Sequence, residues 1–346
     1  MLARPRITRL AVLILTVLAV LWLTLAPDSP PASVPAFPQD HARNRTLGFS
    51  QILALSSRPS WRTRGLQAAA NLTGLEITIP PQPPLDDRLA EAFASIGSDL
   101  FGITRPAFGA SKAWLAHLDL IKYIYQSKLE SALVLEDDAD WDVEIKAQMG
   151  NISSAVRNLT KIDEGEPAPY GLSWDVLWLG HCGEQWDEWT DTVIFNDTNV
   201  LPHHQYIGFW ADSLAQLPDG KRAVYSSTMP VCTFAYAVSY AGAYKILSHM
   251  SAGMGEAFDV QMQNLCQRRI FNCVSVVPEV FHQYFPPLEL GVKSDVDIGN
   301  GESMGKIEAA ETVMGSTENI LHSARCWALW GVDCQRVPEP VPELDL

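Results

Sequence analysis

Five carboxylates fall within seven positions at Glu136-Asp137-Asp138-Ala139-Asp140-Trp141-Asp142, directly after the apolar run Leu133-Val134-Leu135. Like charges held this close raise one another's pKa, so the cluster calls for a cation. Oxygen ligands select a hard divalent ion, Mn2+ or Mg2+, which keeps waters and binds substrate phosphates; a nucleotide diphosphate suits it. Glu136 and Asp138 are two apart, so an extended chain turns them to one side. Asp137 then points the other way, toward a helix N-terminus or a sugar hydroxyl. The competing reading is a solvated acidic loop, and the position straight after a buried-type strand favours a site.

Other candidates are fewer. Arg58, after the apolar run Ile52–Leu55, can grip a phosphate with its guanidinium or be a plain loop cation. Asp259 and Glu256 precede an apolar helical pattern, and Asp259 doubles as a candidate helix N-cap. His117 lies inside a helical pattern, where a core histidine is the commoner outcome. His203-His204 are adjacent and read as a solvated loop. Trp186, Trp189, Tyr206 and Trp210 offer faces for sugar rings, with core packing as the alternative.

The elements that must position these groups are legible as alternating patterns. Strands are expected over Ile52–Leu55, Leu75–Ile79, Ala132–Leu135, Val176–Leu179, Phe234–Val238 and Val274–Val277. Helices are expected over Trp61–Asn71, from an N-cap at Ser111 to Gln126, and over Tyr240–Met250 and Phe258–Arg268. Alternation of this kind implies an α/β class with a largely parallel sheet, whose ligands sit beyond the strands' carboxyl ends.

Taken in order, GFSQILALSSRPSWR, Gly109-Ala-Ser-Lys-Ala-Trp-Leu-Ala-His117, ALVLEDDADW, WDVLWLG and FAYAVSYAGAYKIL resemble the motifs of family 25 glycosyltransferases. These are the lipopolysaccharide-type and collagen-type galactosyltransferases. Asp259, Pro278 with Gln283, and Ser294-Asp295 complete the set, over residues 50–296. Two positions depart from the family: Ala113 and Ala116 stand where Cys and Ser are usual. Arg58, Arg62 and Arg64 surround Pro59-Ser60-Trp61, in place of an aspartate-arginine setting. The resemblance implies a GT-A-like fold, a UDP-sugar donor with galactose favoured, and inversion at the anomeric carbon. It implies metal at Asp138 with Glu136 or Asp140 assisting, and donor contacts from Arg58, Arg62, His117 and Asp137. The base that takes the acceptor's proton is then Asp259 first and Glu256 second.

The chain's 346 residues carry 25 Lys+Arg against 40 Asp+Glu, a net charge of −15. No basic block interrupts that acidity, so nucleic acid is excluded as the main partner. Gly-X-Gly-X-X-Gly, Walker and Gly-X-Ser-X-Gly motifs are absent, which sets aside dinucleotide enzymes, P-loop NTPases and ordinary serine hydrolases.

Residues 10–26 are an uncharged run behind Arg4, Arg6 and Arg9, and counting from Ile7 gives a segment, 7–26, of membrane-spanning length. They read as a signal-anchor with residues 1–6 cytosolic, a cleaved signal peptide being the alternative. A proline-rich stalk is expected over 27–45, one catalytic domain over 46–334, and an acidic disordered tail over 335–346. Five Asn-X-Ser/Thr sequons (Asn44, Asn71, Asn151, Asn158, Asn196) and six cysteines without Cys-X-X-Cys spacing agree with a glycosylated, disulfide-bonded lumenal body. Cys326 with Cys334 is a candidate local closure, and the other pairings stay open. A type II Golgi membrane enzyme acting on a glycan or glycoprotein is the expectation. The competitors are a silent glycan-binding relative and a metal-dependent phosphohydrolase, for which His117 and His282 are the available partners.

Overall fold

A computed structural model describes residues 37–101, 105–187 and 189–334. The expected anchor, the start of the stalk and the acidic tail lie outside the described residues. Among those described, no helix is long and apolar enough to cross a membrane.

Apolar runs become strands wherever both faces are covered. The central sheet contains β1 (Gln51–Leu55), β2 (Ile77–Thr78), β3 (Ser131–Glu136), β5 (Val176–Gly180), β6 (Thr192–Asn196), β7 (Lys221–Ser226), β8 (Ala235–Ser239) and β9 (Cys273–Val277). Its order is β2-β1-β3-β8-β5-β9-β7-β6. Pairing directions make six strands run one way, with β7 and β8 reversed. The sheet is therefore mixed, mostly parallel in strand direction, as expected. A smaller sheet of β4 (Ala139–Trp141), β10 (Phe281–Phe285) and β11 (Ser316–Thr317), in the order β11-β10-β4, follows directly after β3's acids.

Two apolar layers sandwich the main sheet. On one side α1 (Trp61–Thr73) and α4 (Ile145–Leu159) supply Leu66, Ala69, Met149, Ile152 and Val156 to the core. On the other, α2 (Asp87–Phe101), α3 (Phe108–Gln126), α5 (Tyr240–Met250) and α6 (Phe258–Gln267) supply Phe93, Trp114, Ile121, Ile246 and Met262. A short α7 (Asp295–Gly299) and a final α8 (Ala324–Trp330) complete the helices described.

Three boundaries differ from expectation. Helix α3 starts at Phe108 rather than after Ser111, whose hydroxyl bonds the Ala107 carbonyl inside the first turn. That start seats Gly109 against α7: a Cβ there would lie 2.0 Å from the Val296 carbonyl oxygen, so only glycine fits. The fold also begins earlier than residue 46. A 3-10 turn over Pro38–Arg43 packs on α4 and buries Ala42, so residues 38–45 belong to the body and not to the stalk. Finally, α2 and α4 occupy segments where no helix was expected.

Three disulfides close the fold, Cys182–Cys232, Cys266–Cys273 and Cys326–Cys334. They mark an oxidising secretory or extracellular environment.

Candidate active site

Strand β3 delivers Glu136, Asp137 and Asp138 at its carboxyl end, and neighbouring elements hold each one differently. Glu136 Oε1 accepts from the Thr233 hydroxyl at 2.9 Å, just before β8. Asp137 Oδ2 accepts from Ser56 Oγ at 2.6 Å, just after β1. Asp138, 2% exposed, accepts through Oδ2 from Arg62 Nη1 at 2.6 Å and from Gln283 Nε2 at 3.1 Å. Its other oxygen, Oδ1, is buried without any hydrogen-bond partner.

The electrostatics follow from this crowding. Burial, with Asp138, Asp137 and Asp259 nearby, pushes the Glu136 carboxyl up to about 8 against the opposing Thr233 bond. Burial and Asp138 push Asp137 up to about 7, while Ser56 and Arg62 pull it down. Positive charge is thus in short supply, although Arg62 feels Asp138, Asp137, Asp295 and Glu136 together. A divalent ion would relieve that shortage, and the partnerless Asp138 oxygen is a ready ligand for it. Among the described residues no three His, Cys, Asp or Glu side chains form a closed cage. A divalent ion here would rest on one or two carboxylates, leaving the rest of its shell to waters or substrate phosphates.

Beside these acids opens a cleft of about 420 Å3, lined by Arg58, Arg62, Arg64, Asp137, Lys293 and Asp295 among others. Ser60 caps α1 with a reciprocal bond from Thr63, which fixes the start of that helix at the cleft wall. Arg58 is exposed there, and Arg62 is tied down by Asp138 and by the Lys293 carbonyl at 3.0 Å.

Asp259 stands in the first turn of α6 but is not its N-cap; Ala257 is, without a side-chain bond. Instead Asp259 Oδ2 accepts from the Cys232 amide at 2.8 Å, next to the residue that holds Glu136. The disulfide Cys182–Cys232 and a bond from Trp178 Nε1 to the Cys232 carbonyl clamp this junction. Glu256 is exposed, and no hydrogen bond or ion pair joins it to the cluster.

Two expected site residues are placed elsewhere. Asp140 is fully buried, one strand past the turn, and receives Ser323 Oγ and the amides of Arg325 and Trp141. It anchors the start of α8, and both its oxygens are taken by these bonds. His117 is 3% exposed, stacked at 4.5 Å on Phe258, and bonded through Nδ1 to the Tyr236 hydroxyl at 2.9 Å. Burial drives its pKa down to about 3, and it packs as a neutral core ring behind Thr233.

The residues missed are neutral ones, Ser56 and Thr233, together with the Cys182–Cys232 clamp. A lone hydroxyl carries no sequence signal, because its role exists only once distant strands align. Trp186 and Tyr206 are buried, as core packing required, whereas Trp189 is 87% exposed.

Behind the site a second buried carboxylate has no cation of its own. Glu279 accepts from the Tyr206 hydroxyl at 2.5 Å and from Asn319 Nδ2 at 2.7 Å, with His282 Nε2 at 3.6 Å. Burial raises its pKa to about 7 despite these bonds and the influence of Arg222. Between about 4.5 and 7 the folded chain holds a proton that the unfolded chain has released, so stability falls as pH rises through that window. The loss approaches about 3 kcal/mol. Urea unfolding of the native chain beside Glu279→Gln, from pH 4.5 to 7.5, should show a steeper decline with pH in the native chain. Parallel slopes would remove Glu279 as the cause.

Compared with models of protein families, the chain matches none, and no curated protein matches it either.

Proposed function

We propose that this chain is a metal-dependent glycosyltransferase, moving a hexose, with galactose favoured, from a UDP-sugar to a hydroxyl of a glycan or protein. The observation that carries the reading is the partnerless, buried Asp138 Oδ1 inside the acid cluster at the end of β3, beside a cleft edged by three arginines. The motif order and the mixed sheet with a reversed β8 support a GT-A-like arrangement. In this reading the acceptor oxygen attacks the anomeric carbon as the bond to UDP breaks, and inversion results. Asp259 takes the acceptor's proton, held in place by the Cys232 amide. Arg62 and Arg58 face the diphosphate, and Ser56 orients Asp137 toward the donor. A divalent ion at Asp138, with Glu136 beside it, would supply charge neutralisation for departing UDP. The three disulfides support a lumenal body, and we place the chain as a type II membrane protein of the Golgi.

The test is UDP release from a panel of UDP-sugars with Mn2+ or with chelator. Mn2+-dependent release from one donor supports the reading. Failure of every donor to turn over, with no rise in melting temperature, would sink it and bring a glycan-binding role forward.

The clamp gives a further expected result. Replacing Cys182 and Cys232 together by Ser should lower donor turnover on the order of 10²-fold, because Asp259 and Glu136 lose their shared support. The Cys326→Ser, Cys334→Ser pair should leave turnover near native. Equal losses in both variants would assign the effect to general destabilisation.

A further inference from the structure

All five sequon asparagines are exposed, and four of them, Asn44, Asn71, Asn151 and Asn158, lie on the α1/α4 side of the sheet. Asn71 is in the last turn of α1. Asn151 and Asn158 are two turns apart on α4, whose opposite face carries Met149, Ile152 and Val156 into the core. Asn44 follows the 3-10 turn that packs on α4; Asn196 ends β6, where Val193 and Phe195 pack on that apolar layer and the alternation of the strand turns Asn196 to the other face, beside Ile194. Helices α2, α3, α5 and α6, which cover the other side, carry no sequon.

The local bonding leaves the attachment atom available. Asn44 uses Oδ1 to accept from the amides of Thr46 and Gly48, at 2.8 and 3.0 Å. Asn71 uses Oδ1 to accept from Gln67 at 3.0 Å, and Asn196 uses Oδ1 to accept from Lys221. In each the bonded atom is the oxygen and not Nδ2, which receives the glycan.

Strand β6 has its own need for cover. It is the terminal strand of the sheet, paired on one side alone, and its Ile194 is 48% exposed. A free edge with an apolar side chain is a template for pairing with another chain.

We propose that these five asparagines carry N-linked glycans, that the four on α1, α4 and the 3-10 turn form a coat on the α1/α4 side, and that the glycan on Asn196, on the same face of β6 as the exposed Ile194, shields the β6 edge. The donor is a lipid-diphosphate-linked oligosaccharide. Asparagine Nδ2 gives up a proton and bonds to the anomeric carbon, and the lipid diphosphate leaves. The proposal does not rest on the transferase reading.

The test uses the full chain from a eukaryotic secretory host, released by peptide N-glycosidase in heavy-oxygen water and mapped by mass spectrometry. Each glycosylated asparagine is then read as a labelled aspartate. Label at four or five of the positions is expected, and three or fewer overturns the coat. The same mapping on Asp138→Asn protein should be unchanged, which separates this result from any failure of donor turnover. For the edge, size-exclusion of Asn196→Gln should show several-fold more self-associated protein than Asn151→Gln. Equal profiles would overturn the shielding role.

Discussion

Asp138→Asn is expected to cut metal-dependent donor turnover by about 10²–10³-fold, the loss typical when one electrostatic stabiliser is removed, while melting near the native temperature. The amide can keep its oxygen toward Arg62 and Gln283, so the bonds that seat the side chain survive. What it loses is the charge, and its NH2 then occupies the place of the partnerless Oδ1. A cation approaching that oxygen would meet a donor in its place. Asp140→Asn is the control, since Asp140 lies only two positions beyond Asp138. Three donors converge on its two oxygens, and an amide cannot accept from all of them. An unsatisfied buried donor costs roughly 1–3 kcal/mol. Turnover per folded molecule should hold in Asp140→Asn while its melting temperature falls. If Asp138→Asn instead loses stability and keeps turnover, the two aspartates have exchanged roles and the proposed site is wrong.

Arg222→Leu should be the most destabilising single change, and it acts far from the acids of β3. Arg222 is 2% exposed on β7 and donates through Nε to Asp197 at 2.8 Å. Its Nη1 also donates to the Glu279 carbonyl at 2.8 Å and to that of Pro278. One guanidinium therefore ties the β6–β7 turn to the segment between β9 and β10. Removing it leaves the Asp197 carboxylate buried without its partner, a loss of about 3–5 kcal/mol. For a body of this size that corresponds to a drop in melting temperature on the order of 10 °C. Adding Asp197→Asn to Arg222→Leu should recover part of the loss, because the orphaned charge is then gone. Thermal unfolding followed by circular dichroism measures both. A shift no larger than that of an exposed substitution such as Lys221→Leu would show that the pair is solvated and dispensable.

Legibility followed burial. Runs such as Leu133–Leu135, Val176–Leu179 and Val274–Val277 are apolar on both faces, since helices cover the sheet on each side, and continuous runs of this kind mark such strands. Strand β6, half-exposed at the sheet's edge, and β4 and β10, short strands in the smaller sheet, gave no comparable pattern. Helix α4 was hidden by Gly150 and the Ser153-Ser154 pair, residues that favour turns. In the fold Gly150 makes room for Arg43: a Cβ there would lie 2.4 Å from the guanidinium Nε. Ser153 lies inside the helix with its hydroxyl on the Pro169 carbonyl.

Residue type and spacing were enough to show that acids gather where a buried strand ends, that the fold is α/β, and that asparagines and cysteines suit an oxidising compartment. These are consequences of residue type and spacing along one stretch of chain. Which acid keeps an oxygen unmatched and which has both taken up is settled by packing in three dimensions. Asp138 and Asp140 have the same chemistry and near-identical positions along the chain. They part because the chain passes from β3 into a second sheet, bringing Asp140 to Ser323 and Arg325, 183 and 185 residues further along the chain. Asp138 stays buried at the end of β3, tied to Arg62 and Gln283, with one oxygen unmatched. The hydroxyls of Ser56 and Thr233 likewise acquire meaning only through the strands that bring them to Asp137 and Glu136. Hydrogen bonding is short-ranged and directional, so the partners of a carboxylate are fixed by packing across the whole domain.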